Sequence, residues 1–119
     1  MSDLTFYHYP NCSTCKKALS FLMDRNIGVK LVDITKNPPS QAELKKALDA
    51  VDGNVQKLFN VSGQLYREGN YKERLKTMSE KEAILELSRH GKLIKRPLLL
   101  GRDVALVGFK SESYEAALG

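Results

Sequence analysis

The 119-residue chain is 42% hydrophobic and 28% charged, carries a formal net charge of +5, and contains only two cysteines. That size and apolar fraction suffice for one compact domain with a genuine core, and no apolar run approaches the roughly 18 residues of a membrane helix. Positions 1–60 hold eight basic and six acidic residues and positions 61–119 eleven and eight, so no basic tail or stripe points to direct nucleic-acid binding, although a small anionic substrate would still be attracted.

Met1-Ser2-Asp3 lacks the basic and apolar blocks of a signal peptide, so the expected compartment is the reducing cytoplasm. The apolar run Leu4 to Tyr9 reads as the first strand. Tyr9-Pro10-Asn11-Cys12-Ser13-Thr14-Cys15-Lys16-Lys17 follows, and Ala18, Leu19, Leu22 and Met23 behind it fall at helical spacing. A first helix is therefore expected from about Ser13 to Asn26, with Gly28 as its stop. Val29 to Ile34 alternates and is rich in β-branched residues, which marks a second strand. So short a return makes strand–helix–strand a parallel crossover.

Asn37-Pro38-Pro39 breaks the chain, and Ser40-Gln41-Ala42-Glu43 is a capping box opening a helix with Leu44, Ala47, Leu48 and Val51 on one face. Asp52-Gly53 ends it. Asn54 is placed to cap a short helix through Leu58-Phe59, Ser62-Gly63 turns the chain, and a short helix is expected from about Lys72 to Lys76. A second capping box, Ser79-Glu80-Lys81-Glu82, starts a helix with Ala83, Ile84 and Leu87 inward and Gly91 as its stop. Residues 40–91 thus form a helical insertion. Pro97-Leu98-Leu99-Leu100, Gly101-Arg102-Asp103 and Val104 to Phe109 read as a hairpin, and Ser111 caps a closing helix to Leu118. The order βαβ, helices, ββ, α describes a single domain, 1–119, of the thioredoxin-like α/β fold with a mixed four-stranded sheet.

The chemistry centres on the Cys-x-x-Cys. A helix N-terminus presents unpaired N–H groups and the positive end of the helix dipole, which favour a thiolate over a thiol. Lys16 and Lys17 add positive charge one turn on. Cys12, at the lip, is the expected nucleophile, and Cys15, one turn inside, the resolving thiol that closes a disulfide with it. A zinc site needs two further ligands, and only His8 and His90 are on offer, not as a closely spaced pair. In this fold the loop entering the third strand faces the active-site helix. That places Lys95-Arg96-Pro97 opposite Cys12, with a cis Arg96–Pro97 bond making a tight turn. Arg96 would then aim its fork at an anion in the Cys12 loop, beside the backbone N–H groups of Ser13 and Thr14. His8 closes the first strand and is a secondary candidate for supporting the thiolate. Tyr66 and Tyr114 read as packing residues.

Phe6-Tyr7-His8-Tyr9-Pro10-Asn11-Cys12-Ser13-Thr14-Cys15, Asn37-Pro38-Pro39-Ser40, Lys95-Arg96-Pro97-Leu98 and Val107-Gly108-Phe109, in that order, resemble the ArsC/Spx superfamily over nearly the whole chain. This superfamily includes glutaredoxin-linked arsenate reductases, Spx transcription regulators and many uncharacterised relatives. The resemblance implies that Cys12 is the catalytic thiol, Arg96 the anion-contacting arginine before a cis Pro97, and His8 the histidine near the thiol. Arsenate reductases of this type surround the oxyanion with three arginines. Here Asn60 and Ala105 stand at the positions corresponding to two of them, and Cys15 stands where those enzymes usually carry serine. Leu58 to Arg67 is typical of the uncharacterised relatives.

The function expected is thus a thiol–disulfide oxidoreductase that binds no cofactor or metal and is regenerated by thioredoxin, glutaredoxin or glutathione. The alternative is an Spx-like redox-switched regulator that binds RNA polymerase, with arsenate reductase proper behind both. A monomer is the default for so small and charged a domain.

Overall fold

The computed structural model describes residues 4–118; Met1-Ser2-Asp3, on which the signal-peptide reading rests, and Gly119 lie outside the described residues. Strand β1 (Thr5–His8) leads into helix α1 (Ser13–Asp24) and returns as β2 (Lys30–Asp33). Helices α2 (Gln41–Ala50), α3 (Gln64–Glu68), α4 (Tyr71–Arg74) and α5 (Glu80–Arg89) follow, with 3₁₀ turns at Val55–Leu58 and Gly91–Leu93. Strands β3 (Leu98–Leu100) and β4 (Ala105–Val107) and helix α6 (Ser111–Leu118) complete the chain.

The sheet runs β2-β1-β3-β4, with β1 parallel to β2 and antiparallel to β3. It is the mixed four-stranded sheet of the thioredoxin-like fold. Both faces are buried, because successive side chains of a strand point to opposite sides. Phe6 and Leu99 pack with Ala18, Leu22 and Tyr114 under α1 and α6. Tyr7, Leu98 and Leu100 pack with Leu44, Leu48, Ile84 and Leu87 under the helices between β2 and β3.

Several local expectations change in detail. Helix α1 ends at Asp24, and the stop is Asn26 at φ +56° rather than Gly28. The Ile27 N–H reaches back to the Leu22 carbonyl at 2.9 Å and the Asn26 N–H to the Met23 carbonyl at 3.0 Å, a closure that asparagine tolerates in the left-handed region. Met23 is 67% exposed, and Phe21 takes the inward position instead. The Ser40 capping box is complete, its hydroxyl accepting from the Glu43 N–H and its N–H donating to the Glu43 carboxylate. At Ser79 only half the box forms, because the Glu82 carboxylate takes the Ser79 hydroxyl instead of its N–H. Asn54 makes no side-chain cap. The short helix expected from about Lys72 to Lys76 is α4, which ends at Arg74; α3 before it was not foreseen, and Asn70 at φ +55° parts the two. Ser111 is the first helical residue of α6, not its cap, since the Tyr114 N–H bonds the Lys110 carbonyl at 3.1 Å.

Candidate active site

Beyond the carboxyl end of β1 the chain turns tightly through Pro10-Asn11, with the Cys12 N–H donating to the Tyr9 carbonyl at 2.9 Å. Cys12 is the N-cap of α1, with extended backbone at φ −93°, ψ 116°. Its Sγ accepts from the Cys15 N–H at 3.3 Å, standing where a serine or aspartate oxygen caps other helices. Helix geometry leaves the N–H groups of Ser13 and Thr14 without partners inside α1.

Cys15 is 2% exposed on the inner face of α1, and the two thiols are unbonded. Burial pushes the Cys15 thiol up to about 12, and its hydrogen bond to the Cys12 sulfur adds to the rise. A backbone hydrogen bond from Tyr9 and the charge of Arg96 pull weakly the other way. At neutral pH Cys15 is therefore held as the thiol, and Cys12, half-buried at the cavity, is the sulfur presented to solvent.

The Arg96–Pro97 bond is cis. Arg96 stacks over the Tyr9 ring at 4.7 Å from its centroid and donates to the Lys92 carbonyl at 3.4 Å. A cation stacked on an aromatic face loses little solvation and keeps its remaining N–H groups for a ligand. Cys12 and Arg96 share a cavity of about 360 Å³.

Its other walls come from distant parts of the chain. Residues 59–62 form one side. The Asn60 N–H bonds the Leu93 carbonyl at 2.7 Å and the Lys95 N–H the Leu58 carbonyl at 2.8 Å, on either side of the Phe59–Ile94 bridge. This clamps the edge of the helical segment to the stretch entering the cis proline. Residues 107–110 form the opposite side. There the Gly108 N–H donates to the Pro97 carbonyl at 2.8 Å, and the Tyr114 hydroxyl supports the turn by donating to the Gly108 carbonyl at 3.3 Å. Gly108 sits at φ +76°, and a Cβ there would stand 3.1 Å from the Lys95 Cε. The missing side chain both permits the turn and makes room for the Lys95 stem.

The fold thus brings together Cys12, Thr14 and Arg96 at the cavity, with Cys15 directly behind and Pro97 buried beneath. Ser13 and Lys16 are exposed in the first turn of α1 and do not line the cavity. His8 is half-buried at the end of β1, its ring 6.2 Å from that of Phe6, and it too lies outside the lining. Asn60 lines the cavity but Ala105 does not; Val107, two residues along the same strand face, takes that place. Two further cations line the cavity: Lys95, which the sequence reading placed opposite Cys12 without giving it a role, and Lys110, which it did not find. Lys95 was legible as the neighbour of Arg96. Nothing local marks Lys110, which arrives only because the hairpin turns back and α6 begins beside Cys12.

The chain is similar to known proteins. The ArsC family model matches residues 7–117. The uncharacterized protein YusI of Bacillus subtilis (strain 168) is 43% identical over 95% of this chain and 96% of its own. An arsenate reductase of Neisseria meningitidis serogroup A is 31% identical over 99% of this chain and 100% of its own. Regulatory protein MgsR of Bacillus subtilis is 26% identical over 90% of this chain and 83% of its own. The crystal structure of a Bacteroides fragilis protein described as ArsC family related superposes with a TM-score of 0.89 at 40% identity, covering 96% of each chain.

Proposed function

The chain belongs to the ArsC family, and from that premise we propose that it is a thiol–disulfide oxidoreductase of the reducing cytoplasm. The observation that carries this reading is the division between the two sulfurs. Cys12 caps a helix and opens on the cavity, while Cys15 is 2% exposed one turn behind and kept protonated by burial.

Such a pair performs a two-step exchange. The Cys12 thiolate attacks one sulfur of a disulfide; a new S–S bond forms, and the second sulfur leaves with the electron pair of the broken bond. Cys15 then gives up its proton and attacks the Cys12 sulfur, releasing the first half of the substrate as thiolate. The two cysteines are oxidised by two electrons and the substrate disulfide is reduced by two. Thioredoxin, glutaredoxin or glutathione returns the Cys12–Cys15 disulfide to dithiol. Arg96 and the N–H groups of Ser13 and Thr14 stabilise the anionic groups that enter or leave beside Cys12.

The test is trapping. Cys15→Ser exposed to a small disulfide is expected to retain a one-to-one mixed disulfide on Cys12 by intact mass, whereas the wild type loses two hydrogens and keeps no adduct. Native protein treated with iodoacetamide should be labelled at Cys12 and spared at Cys15. Preferential labelling of Cys15, or no adduct on Cys15→Ser, overturns the reading.

The similarity to the regulatory protein MgsR supports a regulatory role, and the second reading is accordingly a redox-switched regulator, with RNA polymerase as its proposed partner. A polymerase pull-down that changes between dithiol and disulfide forms would favour it, and an interaction indifferent to redox state would remove it.

A further inference from the structure

The walls of the cavity carry a charge pattern that the exchange chemistry does not require. Three cations line it: Arg96 at the cis turn, Lys95 beside it, and Lys110 where the hairpin passes into α6. No aspartate or glutamate lines it among the described residues. Lys95 and Arg96 are neighbours at the cis turn, and Lys110 comes from a separate place in the chain. Arg96 is stacked on Tyr9, the Lys95 stem lies against the bare backbone of Gly108, and the Lys110 carbonyl is tied to the first turn of α6. A net charge of +5 spread over both halves does not by itself place three cations around one thiol.

Next to this cavity, sharing Phe59, Val61 and Lys95 with it, lies a second depression of about 310 Å³ whose remaining lining is Asn54, Gln56 and Lys57. The 360 Å³ of the first falls within the ~300–1,000 Å³ usual for small-molecule sites, and the second offers space and a cation for a departing half.

We infer that the substrate is a small disulfide bearing carboxylates, and that Lys95 and Lys110 are residues that select for it. The inference rests on the oxidoreductase reading and names its substrate class. Cys12 attacks the nearer sulfur while the carboxylates of that half meet Lys95, Arg96 and Lys110. The other half leaves as a thiolate with the electron pair of the broken bond and is protonated by solvent. A cationic disulfide of the same size meets three like charges in the cavity and is rejected.

The experiment compares kcat/KM for 3,3′-dithiodipropionate, which carries two carboxylates, with the similarly sized neutral 2-hydroxyethyl disulfide and cationic cystamine. It uses the wild type, Lys95→Gln/Lys110→Gln, and a control, Lys45→Gln/Lys72→Gln, that removes the same net charge from exposed lysines outside the cavity. The wild type is expected to prefer the anionic over the cationic disulfide by more than about tenfold. That ratio should fall about tenfold in Lys95→Gln/Lys110→Gln, should hold in the control, and should shrink in 0.5 M salt. No preference in the wild type, or an equal loss in both double variants, overturns the inference and leaves the oxidoreductase reading standing.

A second readout is independent of turnover: the ratio of Cys12 alkylation rates by iodoacetate, an anion, and neutral iodoacetamide. It is expected to exceed that of a cysteine in a short peptide and to drop in Lys95→Gln/Lys110→Gln alone. With no disulfide turned over, a raised ratio retains the anion-selective cavity while the oxidoreductase reading fails. An unraised ratio removes both.

Discussion

At the scale of single residues the site depends on one contrast: two sulfurs one helical turn apart in opposite surroundings. Cys12 meets solvent at a helix N-terminus, and Cys15, 2% exposed, is pushed up to about 12 chiefly by burial. That burial persists when Cys12 carries a mixed disulfide, so closure to the internal disulfide waits on the rare deprotonation of Cys15. The closure rate, followed by quenched-flow mass spectrometry, is predicted to rise about tenfold per pH unit from pH 7 to 9. A plateau reached below pH 9 would contradict the assignment. Cys12, Cys15, Arg96 and the cis proline were all legible in the sequence, because the spacing Cys-x-x-Cys and a proline at a strand start each have a local mechanism. Lys95 and Lys110 were not assigned, since their convergence is made by tertiary structure, and a lysine on a turn carries no periodicity that marks its direction.

At the scale of elements, what was legible follows the strength of local signals. The Ser40–Glu43 box, the alternation in β1 and β2 and the hairpin around Gly101-Arg102-Asp103 appear as read. The stretch from Tyr66 to Met78 was poorly legible, because its turns are short and are held from outside. Tyr71 donates to Glu86 at 2.9 Å, and Arg74 both pairs with Glu86 at 3.0 Å and stacks on Tyr71.

Glu43 ties helix α2 to strand β1 at this scale. Burial alone would raise its carboxyl, but hydrogen bonds from the Ser40 N–H and the Tyr7 hydroxyl hold it below the usual glutamate range. A carboxyl lowered by folding adds stability above its unfolded value and loses it as pH falls through the folded one. Glu43→Gln, which removes the carboxylate that accepts these bonds, is therefore predicted to cost about 1 kcal/mol at pH 7 by urea unfolding. Its deficit should shrink below about pH 4, while Cys12 alkylation stays at the wild-type rate. A deficit independent of pH would contradict this role for Glu43.

Gly91 makes a different point. It was read as a helix stop, yet a Cβ there would stand 1.9 Å from the Ile34 carbonyl oxygen, backbone against backbone. Gly91→Ala is predicted to cost about 2–3 kcal/mol by overpacking, visible as a lowered urea midpoint at an unchanged m-value. A neutral substitution would contradict the close approach.

At the scale of the whole molecule, the sheet separates two cores, and the site lies where all the parts meet. β1 brings Cys12 past its carboxyl end, the helical segment supplies residues 59–62, and the hairpin with α6 supplies Gly108 and Lys110. A parallel strand that ends beside a helix N-terminus is a recurrent place for ligands in open α/β sheets. Among the described residues no helix is long and apolar enough to cross a membrane. One arginine with two lysines, in place of three arginines, makes the cavity cationic without the bidentate forks that grip a small oxyanion. On the proposed reading a carboxylate-bearing disulfide is therefore expected to be a better acceptor than arsenate.

The most direct measurement is NADPH consumption coupled through the thioredoxin system and, separately, the glutaredoxin system, with 3,3′-dithiodipropionate or arsenate as acceptor and each rate taken above that without the protein, for wild type and Cys12→Ser. The account predicts turnover with the disulfide that Cys12→Ser abolishes, and little or none with arsenate. Turnover with arsenate alone, or disulfide turnover undiminished in Cys12→Ser, would contradict it.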